Sequence, residues 1–360
     1  MKLKDVTAQN RRFIQGAMLI NAPCASLNLG QDGIKRIYTT DENGKSVKFS
    51  YLSGQFIKAK IRESLEEKGF KLSQPEIIQT SGKKNTPTTS CNPFEYLDDD
   101  LFGYMNIIDK GNHINKGTTR VAPFKISYFL GKLGDINKDY GVKQNGALLK
   151  DGSLVSMPLD DNNRQFASTQ YSGCFSIDVN LTGRFLKGHI AGFKNLATDF
   201  PIDRYENMVE YQDEHEVKIK QEIRLQRLQN LLKIFPYLNG GAKRTTIYSD
   251  LAPKFVIYCI TNCGNHLFQE LSSIYKSFNI DSLKESVNDF ADNIKSDIYI
   301  ALKNGFLDSY RNELLKFLAA FNENTKSFKF VYNDDLGGVN ELTQKFADNE
   351  IPKMFKVENI

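Results

Sequence analysis

The stretch YLSGQFIKAKIRESLEE, residues 51–67, sets the frame for the rest of the chain. Ser53 is a good helix N-cap, because its hydroxyl can accept an early backbone N–H that has no partner within the helix. At about 100° per residue, Ile57, Ile61 and Leu65 line up as an apolar stripe that must face a core. Gln55, Lys58 and Arg62 fall within about 60° of one another on a different face. No acid sits among them, since Glu63 and Glu67 lie on another side again. The plainest account of that face is a solvated one, with Arg62 paired to Glu66 for a few tenths of a kcal/mol. The other account is contact with an anion.

Composition narrows the choice. A chain of 360 residues with 40% hydrophobic content can bury a large core. No apolar run approaches the roughly 20 residues needed to cross a bilayer. The N-terminal MKLKDVTAQNRRF leads into no signal-peptide pattern. A cytoplasmic protein with no membrane partner is therefore expected. Cys24, Cys91, Cys174, Cys259 and Cys263 are odd in number and mostly scattered, which suits reduced thiols. The net charge of +4 is modest, but residues 110–150 carry eight Lys or Arg against Asp135 and Asp139. A phosphate backbone would respond to such a surplus, although a solvated basic loop gives the same pattern.

Working outward from the helix, residues 11–29 read as a first strand leaving through a polar loop. Residues 30–52 read as a hairpin about the turn DENG. Residues 81–95, SGKKNTPTTSCNPFE, are rich in turn formers. LFGYMNIID (101–109) fits helix or strand, whereas RVAPFKISYFL (120–130) alternates as a strand. Glycine and polar residues dominate from 131 to 170, predicting a long excursion from the body. Phe175, Ile177 and Val179 alternate with Ser176, Asp178 and Asn180 in a clear strand. Asp213 and Glu216 have capping-box spacing, which predicts a helix over 213–235. KFVIYCIT (254–261) is apolar enough for a central strand, and 265–325 reads as helical. The class is α+β. An RRM-like, ferredoxin-type antiparallel sheet with elaborated connections is one candidate arrangement.

Catalytic signatures are missing. There is no phosphate-binding loop, no H-E-x-x-H and no G-x-S-x-G. His113, His189, His215 and His266 are scattered. Cys259, Cys263 and His266 come closest to a metal set, but a thiol inside an apolar strand is usually just buried. No cofactor or metal is expected. The acids of LDDDLFG (97–103) suit a helix N-terminus. Asp32, with Gly33 after it and Gly30 before, suits a turn.

Six segments in order carry a resemblance: ASLN (25–28), YLSGQFIKAKIR (51–62), DLFGYM (100–105), RVAPFKIS (120–127), GRF (183–185) and GGAKR…DLAPKFV (240–256). Together they resemble the backbone subunit of type I-B CRISPR Cascade complexes, the seventh Cas family in its DevR-like branch. The resemblance runs from about residue 13 to 262; the number, order and spacing of the segments carry it, and no single motif does. It implies a single elaborated RRM-like domain over 1–360, a palm with fingers at 81–130, a thumb hairpin within 131–170 and a helical region at 265–325. It also implies a non-catalytic protein that binds guide RNA (crRNA). Copies of it would line up head to tail beside other Cascade subunits and present the guide to target DNA.

On that resemblance Gln55, Lys58 and Arg62 would meet the RNA backbone, Lys as a point charge and Arg as a bidentate donor. Arg120 and Lys125 match the family's basic strand. Gly240, Gly241, Lys243 and Arg244 form a turn whose amides and charges suit a phosphate. Lys132, Lys138 and Lys143 are the thumb candidates. The chain lacks the aromatic RNP signature, so base stacking on sheet aromatics is not expected. One rival is a type III-like, metal-dependent cut of target RNA at Asp32. Another is a DNA-binding regulator, for which no helix-turn-helix with a basic recognition helix is visible.

Overall fold

Period-two alternation along one strand organises the molecule. The computed structural model describes residue 7 and residues 10–31, 33–41, 43–79, 85–106, 115–138, 143–157, 165–187, 194–242, 247–325 and 327–357. From β1 (Phe13–Ala25) the chain makes a hairpin, β2 (Arg36–Thr40) and β3 (Ser46–Leu52), then helix α1 (Gly54–Glu67). Helix α2 (Leu97–Phe102) precedes three short strands, β4 (Phe124–Ile126), β5 (Phe129–Leu130) and β6 (Ile136–Lys138). A separate hairpin of β7 (Lys143–Leu148) and β8 (Leu154–Met157) comes before the long β9 (Gln165–Asp178). A small sheet of β10 (Arg184–Leu186), β11 (Val209–Gln212) and β12 (Glu216–Ile219) leads into α3 (Gln221–Lys233). The C-terminal part runs β13 (Pro253–Thr261), α4 (Ile280–Asp289), β14 (Ile298–Leu302), α5 (Asp308–Asn324), β15 (Phe330–Val331) and α6 (Val339–Val357).

The fold is α+β around one large mixed sheet of ten strands among the described residues. Its order is β15-β14-β13-β1-β9-β5-β3-β2, with β4 and β6 also paired to β9. The β14–β15 pair is parallel and the other pairs are antiparallel. Ile14 and Met18 of β1 point to one face, where α1, α3 and α6 cover them with Ile57, Ile61, Leu231 and Phe346. Ala17 and Leu19 point to the other, where α4 and α5 supply Leu283, Val287, Leu314 and Leu318. Burial of that kind is worth about 1.5–3 kcal/mol per large side chain, so β1 and β13 are held from both sides.

Several sequence expectations change. The helix predicted over 213–235 begins only at Gln221, and 216–219 is strand β12. Asp213 does accept from the Glu216 amide, at 2.7 Å, but it closes the β11–β12 turn instead of capping a helix. The strand predicted over 120–130 is three short pieces, at 118–120, 124–126 and 129–130, broken at Pro123, which has no N–H to pair. The region 265–325 contains β14 as well as helices, and α6 follows it.

Candidate nucleic-acid interface

Helix α1 forms as its sequence predicts. Ser53 Oγ accepts from the Phe56 amide at 3.2 Å, and Ile57, Ile61 and Leu65 are fully buried. On the polar face the three candidates have different fates. Gln55 is exposed, and its amide makes no side-chain hydrogen bond among the described residues. Lys58 is half-buried, with its ammonium 5.7 Å from the ring centres of both Phe102 and Phe124. Burial lowers its pKa to about 8, and no carboxylate pairs with it among the described residues. Arg62 is engaged: it lies 2.5 Å from Asp98 and donates to the Ser73 carbonyl at 2.5 Å. The expected partner, Glu66, accepts from Gln74 instead, because α2 brings a fully buried carboxylate to Arg62.

The segments that carry the resemblance converge on this helix. Phe102 comes from DLFGYM and Phe124 from RVAPFKIS, so Lys58 spans both. The Ile126 carbonyl approaches Gly54 so closely that a Cβ there would lie 3.0 Å from it. Gly240 and Gly241 take φ of 111° and 128°, which side-chain-bearing residues rarely adopt. That backbone lets the turn lie against the Lys60 side chain and Leu27, with the Ala242 amide donating to Ser26 at 3.1 Å.

Arg120 does not take the expected surface position: it is 4% exposed. Its guanidinium donates to the carbonyls of Asp100, Arg184 and Leu181 at 2.8–2.9 Å and to the Asp100 carboxylate. Those contacts tie RVAPFKIS to DLFGYM and GRF, and they leave this side chain in the core. Lys125 and Lys138 are exposed. Lys132 is half-buried, donating to the Ser273 carbonyl at 2.8 Å, and burial lowers its pKa to about 8. Lys143 opens β7. Asp32, Lys243 and Arg244 lie outside the described residues.

Two features escaped the sequence reading. Tyr51 and Tyr128 stack with ring centres 5.1 Å apart; outward alternation beside inward Leu52 was the available signal for Tyr51. Asp98 is wholly buried, and desolvation, only partly offset by Arg62, pushes its carboxyl up to about 6. Among the described residues no three His, Cys, Asp or Glu side chains gather as a metal would need. Cys259 is fully buried in β13, which pushes its thiol pKa up. Among the described residues no helix is long and apolar enough to cross a membrane.

No protein-family model and no curated protein matches this sequence. The fold does match. A chain described as "CRISPR RNA-guided surveillance complex, pre-nicking" aligns with 93% of this chain and 99% of its own length, at a TM-score of 0.52 and 9% identity. A chain of a "CRISPR RNA-guided surveillance complex" covers 82% of this chain and 91% of its own, at 0.47 and 10%. Thermofilum pendens Csc2 covers 82% of each chain, at 0.37 and 10%. The first of these shows a shared fold: this chain folds like a chain found in an RNA-guided surveillance complex.

Proposed function

We propose that the chain is a guide-RNA-binding backbone subunit of a CRISPR surveillance (Cascade) complex, of the type I-B, DevR-like kind. The observation that carries the reading is Lys58, a cation without a carboxylate partner among the described residues, held over Phe102 and Phe124 where the motif segments converge. A phosphate there would supply the missing counter-charge, and the neighbouring Gln55 amide adds a neutral donor. The near-complete overlap with a chain of a surveillance complex supports the same reading. In it the large sheet is an RRM-like palm, and copies repeat head to tail along the strand in the cytoplasm. The subunit grips phosphate and sugar while base pairing reads target DNA. It performs no chemistry of its own.

The test is to purify the protein at moderate salt, trim with nuclease, and size the RNA that comes with it. Fragments in regularly spaced lengths support a repeating subunit. Failure to retain or bind repeat-derived RNA would refute the reading. Cleavage of complementary RNA by the assembled complex with a divalent metal would refute its non-catalytic part.

A further inference from the structure

The second face of the large sheet is covered at one end and open at the other. Tyr51, Leu130, Ser172, Leu19, Phe255 and Leu302 lie in one cross-strand row, so their side chains share that face. Helices α4 and α5 supply the apolar cover over β13 and β14. Over β9 and β5 the face opens as a groove of about 320 Å³ between residues 127–130 and 266–273.

The groove has three kinds of wall. Tyr128 is 51% exposed and backed by Tyr51, whose ring stacks on it at 26°. Its ring is thereby oriented before any ligand arrives. Opposite stand His266 and Gln269, whose side chains make no hydrogen bond among the described residues. Burial and the Lys125 charge lower the His266 pKa, so the ring is neutral at pH 7 and offers one donor and one acceptor. Lys132 stands by Ser272 and Ser273 at the end of the groove. Glu270 also lies near, close enough to bias the Cys174 thiol. On its far side Tyr51 lines a second concavity of about 370 Å³ with Lys35, Arg36 and Tyr38.

A planar wall, mixed donors and acceptors, and cations at the rim are the requirements of a base with its phosphate. The volume is at the small end for a ligand site and suits one such unit. We propose that this groove holds one unpaired nucleobase of single-stranded RNA, stacked on Tyr128, with His266 and Gln269 meeting its edge and Lys132 its phosphate. The proposal rests on the RNA-binding reading above. Tyr128 lies between β4 and β5 and not on a strand, so the proposal stands beside the sequence expectation that sheet aromatics do not stack on bases.

The test uses the full chain with a fluorescein-labelled single-stranded RNA and a thiouridine-substituted copy for crosslinking. Crosslinks are expected on the 127–130 and 266–273 segments. Tyr128→Ala should weaken binding about 5- to 100-fold while Tyr128→Phe leaves it near wild type. Gln269, exposed and outside any core, gives an independent variant: Gln269→Ala should cost about 2- to 10-fold. If Tyr128→Ala and Gln269→Ala bind normally while Lys58→Ala is weakened, the groove proposal falls and the RNA reading stands. If the unaltered protein binds no RNA, both fall.

Discussion

Arg227 donates to the Asp100 carboxylate at 2.7 Å in a place where both side chains are buried. Asp100 also accepts from Arg120 and, at 3.1 Å to each oxygen, from the Gly183 amide. One buried carboxylate thus holds α2, the 118–120 strand, the GRF segment and α3 together. Removing one partner of a buried ion pair leaves an uncompensated charge, which costs about 3–5 kcal/mol. Asp100→Ala should lower unfolding stability by that amount, read as a drop in the urea midpoint. A midpoint unchanged from wild type would show that the network does not hold these segments.

Gly103 is the second tie between the same segments. It adopts φ 74° and ψ 172°, a region essentially reserved for glycine. A Cβ there would sit 2.9 Å from the Ala122 amide nitrogen and closer still to the Arg120 carbonyl. Strain and overpacking together put Gly103→Ala at about 2–4 kcal/mol. Gly44 provides the control, with φ 78° but open space around it. Gly44→Ala should cost only about 1–2 kcal/mol. Equal thermal shifts for the two variants would contradict the packing argument.

The sequence made local features legible and hid those whose partners lie far along the chain. The Ser53 cap and the Ile57, Ile61, Leu65 stripe follow from spacing alone, and both are present. The apolar run of β13 announced a strand with neighbours on both sides, β1 and β14. Asp213 shows the limit. Its carboxylate accepts from the residue three ahead in a helix cap and in this hairpin turn alike, so the local signal is shared. Arg120 and Arg62 read as surface charges because their counter-charges, Asp100 and Asp98, become neighbours only after α2 has packed. The groove beside Tyr128 is assembled from β5, β9 and the 266–273 segment, a juxtaposition no local pattern encodes.

Asp98 makes stability depend on pH in an unusual direction. Its carboxyl is pushed up from 3.8 to about 6, chiefly by burial. The folded state therefore binds more protons than the unfolded state between those values, and stability from this group falls as pH rises through the window. The penalty is complete above about pH 6 and amounts to about 2–3 kcal/mol. Asp99 and Asp135 are raised as well, so the informative quantity is a difference between proteins. Asp98→Asn should lose less stability than wild type between pH 4 and pH 6, measured by urea unfolding. Parallel curves for the two proteins would be evidence against a raised Asp98.

Lys58 offers a sharper test, because it links the proposed grip to both salt and pH. Each phosphate contact on a single strand contributes about 0.7 to the slope of log affinity against log salt. Lys58→Ala should reduce the slope by that amount, whereas Arg62→Ala should chiefly lower stability by stranding buried Asp98. The pH dependence follows from the Lys58 pKa of about 8. Below it the free protein already carries the proton that a phosphate needs; above it, binding must take a proton up. Affinity should therefore fall as pH rises past 8, approaching about tenfold per unit. Lys58→Arg keeps its charge throughout, so its curve should be flatter and retain only the share of Lys132, whose pKa is lowered likewise. If Lys58→Arg and wild type lose affinity in parallel from pH 8 upward, and Lys58→Ala keeps the full salt slope, the RNA does not touch this face of α1.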